Sequence, residues 1–182
     1  MGIVSTSTGG GSGSGALLFD STLGAPAATI DTGAAGVAGT QNLLEIHVLA
    51  RTTQAVPISS FALTLNNDGT AIYERVYNTM TNNVVTGANE LTNTGGTFNA
   101  AGATAAASIF SSLWLVIPSY AQTTAFKVGT YIETVPDTAA ANTRVLSGGF
   151  GYRATAAISR VAITAGGASN FATGTRLLIL GR

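Results

Sequence analysis

Short apolar runs with a period of two recur along this chain, separated by clusters of turn-forming residues. Leu44, Ile46, Val48 and Ala50 alternate with Glu45, His47 and Arg51, and Phe61, Leu63 and Leu65 alternate with Ala62 and Thr64. Such alternation sends successive side chains to opposite faces of a strand, whereas a helix needs an apolar stripe of period 3.6. Composition argues the same way. Thr and Gly are abundant, while the strong helix formers Glu, Lys and Gln are scarce. Further strand segments are read at Ala16–Asp20, Ala28–Thr32, Ile72–Tyr77, Lys127–Val135, Val145–Ala154, Ile158–Thr164 and Arg176–Leu180. About nine or ten short strands at this spacing predict an all-β fold, an antiparallel β-sandwich that is jelly-roll-like.

The turn Asn66-Asn67-Asp68-Gly69 predicts a hairpin joining the Phe61–Leu65 and Ile72–Tyr77 strands. Residues 78–107, rich in Asn, Thr, Gly and Ala, read as a long excursion with one or two strands. Ala100–Ala107 and Thr138–Ala141 have room for a helical turn each and no more. Ser108–Ile117 is apolar on both faces: Leu113, Leu115 and Ile117 point one way, Trp114 and Val116 the other. A strand of this kind is expected to be covered on both sides, the second by a neighbouring subunit. Trp114 and Val116 are therefore candidate oligomer-interface residues. Residues 1–15, MGIVSTSTGGGSGSG, form a Gly/Ser-rich N-terminal arm with no apolar periodicity, and residues 16–182 form a single domain. Ordering such an arm costs about 1–2 kcal/mol per residue, so a protein partner is expected to hold it.

Only 9% of the residues are charged, against about 25% in average soluble domains. Eight cations balance eight anions. Duplex binding needs clustered Lys and Arg, and here one Lys and seven scattered Arg argue against a nucleic-acid partner. No run approaches the roughly 18 apolar residues of a membrane span. No basic region followed by an apolar run opens the chain, so no secretory signal is expected. The preference for Arg over Lys suggests planar, multi-donor contacts to carbonyls and carboxylates, and Arg176 is expected to be structural in this way.

Chemical motifs are few. His47, the single histidine, shares a strand face with Glu45 and Arg51, but no nucleophile motif accompanies the pair, and a surface or interface strand face is the favoured reading. Gly11-Gly13-Ala16 and Gly149-Gly151-Ala154 fit a loose dinucleotide pattern without its strand–helix context. There is no cysteine, and no calcium-loop spacing among the carboxylates. Asn66-Asn67-Asp68-Gly69 could offer oxygens to a cation, but backbone requirements of a turn explain it better. Catalytic, cofactor and metal residues are thus expected to be none. Tyr73 and Tyr77 share a face with Arg75, opposite Ile72 and Val76, and such a strip is a candidate contact for a glycan or a protein partner.

Several segments resemble virion proteins of tailed bacteriophages. LLFDSTLGAPAATIDTG (Leu17–Gly33) is similar to their first hairpin. LLEIHVLARTTQAV (Leu43–Val56) and LTLNNDGTAIYERVY (Leu63–Tyr77) are similar to their central strands. AAISRVAITAGGASNFATGTRLLILGR (Ala156–Arg182), with its N-F-x-x-G-[ST]-R loop, resembles their closing hairpin. Residues 78–107 match loosely. The resemblance implies a β-sandwich on the particle surface, often trimeric: a capsid decoration, head-fibre or tail-associated protein located in the virion. It implies contact with other virion proteins, here through residues 1–15, and a host surface glycan as the alternative partner. It carries no active-site residues.

Overall fold

A computed structural model describes residues 15–82, 84–136 and 143–182. The expected arm over residues 1–14 and the helical turn at Thr138–Ala141 lie outside the described residues. Twelve strands are formed among those described: β1 (Ala16–Thr22), β2 (Thr29–Asp31), β3 (Leu43–Ala50), β4 (Ile58–Leu65), β5 (Tyr73–Thr81), β6 (Val84–Asn93), β7 (Gly96–Ala101), β8 (Ser111–Pro118), β9 (Lys127–Pro136), β10 (Thr143–Tyr152), β11 (Val161–Ala165) and β12 (Arg176–Gly181). All pairings are antiparallel. They build an eight-stranded sheet in the order β1-β12-β3-β8-β9-β10-β5-β6 and a four-stranded sheet in the order β2-β11-β4-β7. The expected all-β antiparallel sandwich is what forms.

Alternation decides which side chains enter the space between the sheets. From β3 come Leu44, Ile46 and Val48, from β8 Leu113, Leu115 and Ile117, from β4 Phe61, Leu63 and Leu65, and all are buried. Aromatic rings fill the centre. Phe61 packs on Phe98 at 5.7 Å and Phe171 at 6.2 Å between ring centroids, and Phe98 meets the edge of Tyr131 at 5.2 Å. Tyr73, Phe150 and Tyr152 continue the cluster under β5 and β10.

The expected hairpins are corrected. β4 belongs to the small sheet and β5 to the large one, so residues 66–72 cross between sheets. The same holds for β1 with β2 and for β11 with β12: β1 pairs with β12, and β2 with β11. Local chemistry explains the first crossing. Asn66 and Asn67 both adopt left-handed backbone, with φ of 55° and 57°. The Asn66 side chain donates to the Ala157 carbonyl at 2.8 Å and accepts from the Ser159 N–H at 2.8 Å. The Tyr73 hydroxyl accepts from the Leu65 N–H and donates to the Asp68 carbonyl, both at 2.9 Å. These bonds pin the turn to the sandwich rim. Ala100 and Ala101 end β7 instead of opening a helical turn, and turns follow them.

Phe98→Ala should remove the ring that links Phe61, Tyr131 and Phe150 across the sheets. The expected loss is about 3–5 kcal/mol of stability, read from urea unfolding with the slope unchanged.

Candidate functional site

The charged side chains of the described residues are largely taken up by structure. Arg51, at the end of β3, donates to four carbonyls: Ala106 and Ile109 at 2.9 and 2.8 Å, Ala103 and Ala105 both at 3.1 Å. It organises the loop from 102 to 110 and so leaves the company of His47 and Glu45. Lys127 is buried, and its ammonium donates to the carbonyls of Gln122 and Ala125, both at 2.7 Å, and Thr155 at 3.0 Å. Burial pushes that ammonium below the usual lysine range.

Arg176 forms a two-pronged pair with Asp20 on β1, at 2.8 and 2.7 Å, as expected of a structural arginine. Hydrogen bonding from Arg176 holds the Asp20 carboxyl below its ordinary range. Arg160 grips Asp31 in the same manner and with the same effect on the carboxyl. Arg182 pairs with Glu45 at 3.1 Å, and Arg153 with Glu74 at 3.2 Å. The NFATGTR segment is likewise structural. Phe171 is in the core, and the Thr175 hydroxyl accepts from the Arg51 N–H and donates to the Arg51 carbonyl.

The expected exposed Tyr73–Arg75–Tyr77 strip is corrected. Tyr73 and Arg75 are buried, Arg75 at 3% exposure, and Tyr77 is half-buried, so the strip faces inward. Val76, on the opposite side, is 59% exposed. The polarity is inverted because Arg75 finds charge partners and ring faces inside, although its Nε and Nη1 make no hydrogen bond there. It pairs with Glu90 at 3.0 Å, lies 3.8 Å from Glu133, and stacks over the rings of Phe98 at 4.6 Å and Tyr77 at 4.8 Å. Glu133 is fully buried and accepts from the Asn99 N–H. Burial pushes its carboxyl up to about 7, against the pull of that bond and of Arg75.

The opening to solvent lies on the other side of the large sheet. Trp114 and Val116 project there as expected, and Trp114 is 45% exposed. None of the described strands covers them, so among the described residues the two-sided cover expected for Ser108–Ile117 is met on one side. The indole stacks on the His47 ring at 6.2 Å, and His47 Nε2 lies 3.5 Å from Glu45 Oε2. Beside this pair runs a groove of about 490 Å³, bordered by Leu49, Ser112, Ile132, Arg176 and Leu178. Sequence reasoning missed Leu49 and Ile132, although both fall in the outward phase of their strands. A second hollow of about 260 Å³ lies on the far side of Trp114, over Thr130, Ser147 and Gly148.

The surface is suited to binding through shape and apolar contact. Among the described residues no group of three or more His, Asp or Glu could hold a metal ion. The Asn66 and Asp68 side-chain oxygens of the 66–69 turn are engaged, Asn66 as above and Asp68 by the Thr70 N–H and hydroxyl. The chain matches no family model, no curated protein and no solved structure at significance.

Two outcomes follow from these contacts. Arg51→Lys should lower stability by about 1–3 kcal/mol, since an ammonium cannot serve four carbonyls. Arg176→Lys, on a pair about two-fifths exposed, should cost under about 1 kcal/mol in the same urea titration. The second outcome concerns pH. Glu133 takes its proton near pH 7 when folded and near 4.5 when unfolded. The folded chain therefore binds more protons between those values, and stability falls as pH rises through that window. The fall due to this group should be on the order of 3 kcal/mol. Glu133→Gln should flatten the profile, as measured by denaturant midpoints at successive pH values.

Proposed function

We propose that this protein is a non-enzymatic structural component of a tailed-bacteriophage particle, displayed on the particle surface. It would act by binding, as a capsid decoration, head-fibre or tail-associated protein. One observation carries the reading. Among the described residues, most ionisable side chains pair with one another or with backbone carbonyls of the same chain, while the outer face of the large sheet presents an open apolar strip around Trp114. That is the arrangement of a surface that assembles, and the likeness of four segments to phage virion proteins supplies the setting.

The jelly-roll expectation belongs to the same reading. With β5, β6, β9 and β10 set aside, the orders β1-β12-β3-β8 and β2-β11-β4-β7 remain. Four strands in each sheet, joined mostly by crossings, support a jelly-roll frame with two inserted strand pairs that widen one sheet. Residues 1–15 would attach this body to other virion proteins, and the body would be a homo-oligomer, a trimer by the resemblance.

A carbohydrate- or receptor-binding tip is the second reading. The buried Tyr73–Arg75–Tyr77 strip no longer supports it, but the exposed Trp114 ring beside the groove does. A glycan array with the purified chain tests it, and binding that survives Trp114→Ala would remove its basis.

For the leading reading, particles assembled with a chain lacking residues 1–15 should carry none of it, while the purified truncated chain keeps the melting temperature of the full one. Quantitative mass spectrometry of purified particles reads the occupancy. Full occupancy by the truncated chain would end the anchoring role, and absence of the full-length chain from particles would end the particle role itself.

A further inference from the structure

The outer face of the large sheet has a ridge and a trough. Trp114 is the ridge, on β8 and continued by Ile132 on β9, which lies directly opposite it in the strand register. The trough runs along the second half of β10, whose outward positions there are Ser147, Gly149 and Gly151, while Thr143 and Val145 precede them on the same face. Ser147 lies opposite Ile132 on β9, and Gly149 lies opposite Val76 on β5. Over positions 147 to 151, two strands with full side chains thus flank one that has almost none.

Glycine in a strand interior weakens the strand and normally has a local reason. Gly148 has one: a Cβ there would sit 2.1 Å from the Val76 carbonyl oxygen. Gly149 has none in the single chain. Its backbone is outside the left-handed region, and a Cβ would meet nothing within 4 Å. At Gly151 the nearest atom to such a Cβ is the Glu74 Cβ at 3.5 Å, an ordinary contact. The trough is bare on the side where none of the described residues lies.

We propose that the occupant is a second copy of this chain, whose Trp114 ridge seats in the Gly149 trough, the two large sheets packing face to face as a two-fold pair rather than around the three-fold axis that the resemblance implies. Three observations select a copy over a foreign partner. The face is complementary to itself, because it carries both the ridge and the trough. It is also electrically quiet: Glu45 lies between His47 and Arg182, Glu74 pairs with Arg153, and Arg176 pairs with Asp20, so two copies meet without opposing charge. Its size is right. From β3 to β5 the face spans about 19 Å across strands and about 27 Å along them, at ordinary strand spacing. That is about 510 Å² as a flat patch, near the roughly 600 Å² per partner at which stable interfaces begin. Sheet faces pack about 10 Å apart, which leaves an indole room only where the opposing strand lacks side chains.

The inference goes beyond the proposed particle role and is tested apart from it, in solution with the purified full chain. Native mass spectrometry and sedimentation at 10 and 100 μM should give a multiple of the 18.2 kDa chain for the wild type. Gly149→Leu fills the trough from a Cβ that meets no described atom within 4 Å, so it should keep or raise the melting temperature while weakening association at least tenfold. Trp114→Ala should weaken association too. A wild-type chain that is monomeric at 100 μM overturns the proposal, as does a Gly149→Leu chain that associates within twofold of wild type. A second measurement decides the matter if Gly149→Leu proves unstable. The chain has no cysteine, so Val116→Cys and Ser147→Cys, beside ridge and trough, can be mixed under oxidation. Mixed disulfides between the two variants should predominate. Self-pairing of each variant at equal or higher yield overturns the ridge-in-trough contact.

Discussion

Unequal sheet widths govern this molecule. A four-stranded sheet cannot cover an eight-stranded one, and β7, the edge of the small sheet, lies over β8 and β9. Past that edge the inner face of β10 and β5 needs another lid. Large rings supply it: Tyr73, Phe150 and Tyr152 pack on one another there, and Phe98 reaches out from β7 to join them. Arg75 closes the seam with its guanidinium over Phe98 and its charge balanced by Glu90. A buried charge is tolerated when it is paired and hydrogen-bonded, and removing one partner of such a pair is strongly destabilising. The outer face of the wide sheet, as in any two-layer sandwich, is left without cover from the described residues.

The fold class was legible because period two is a local property. The strands around Leu44–Ala50 and Arg176–Leu180 could be read within a residue of their bounds, and Phe61–Leu65 at its end, although that strand starts three residues earlier at Ile58. Partner choice was not legible. The turn at Asn66–Gly69 has hairpin chemistry, yet its Asn66 side chain binds residues more than ninety positions away, and no local rule anticipates that.

The site was half legible. Alternation put Trp114 and Val116 on one face and the structure keeps them there. For β5, alternation grouped Tyr73, Arg75 and Tyr77 but could not say which way they point. The usual assumption that arginine faces water and valine faces the core sent them outward. A usable signal did exist: Glu133 alternates in phase with Tyr131 and Val135, which marks an acid on an inward face. An inward acid needs an inward cation, and Arg75 is one of few available.

The three carbonyls around Lys127 have a consequence for the reactivity of the chain. An amine must be free of its hydrogen bonds and reachable to act as a nucleophile, and here the sole lysine is neither. The folded body therefore offers acylating reagents no lysine, and with no cysteine it offers alkylating reagents no thiol. Acylation of Lys127 becomes a clock for opening of the strand end at β9: its rate reports how often the loop carbonyls let go.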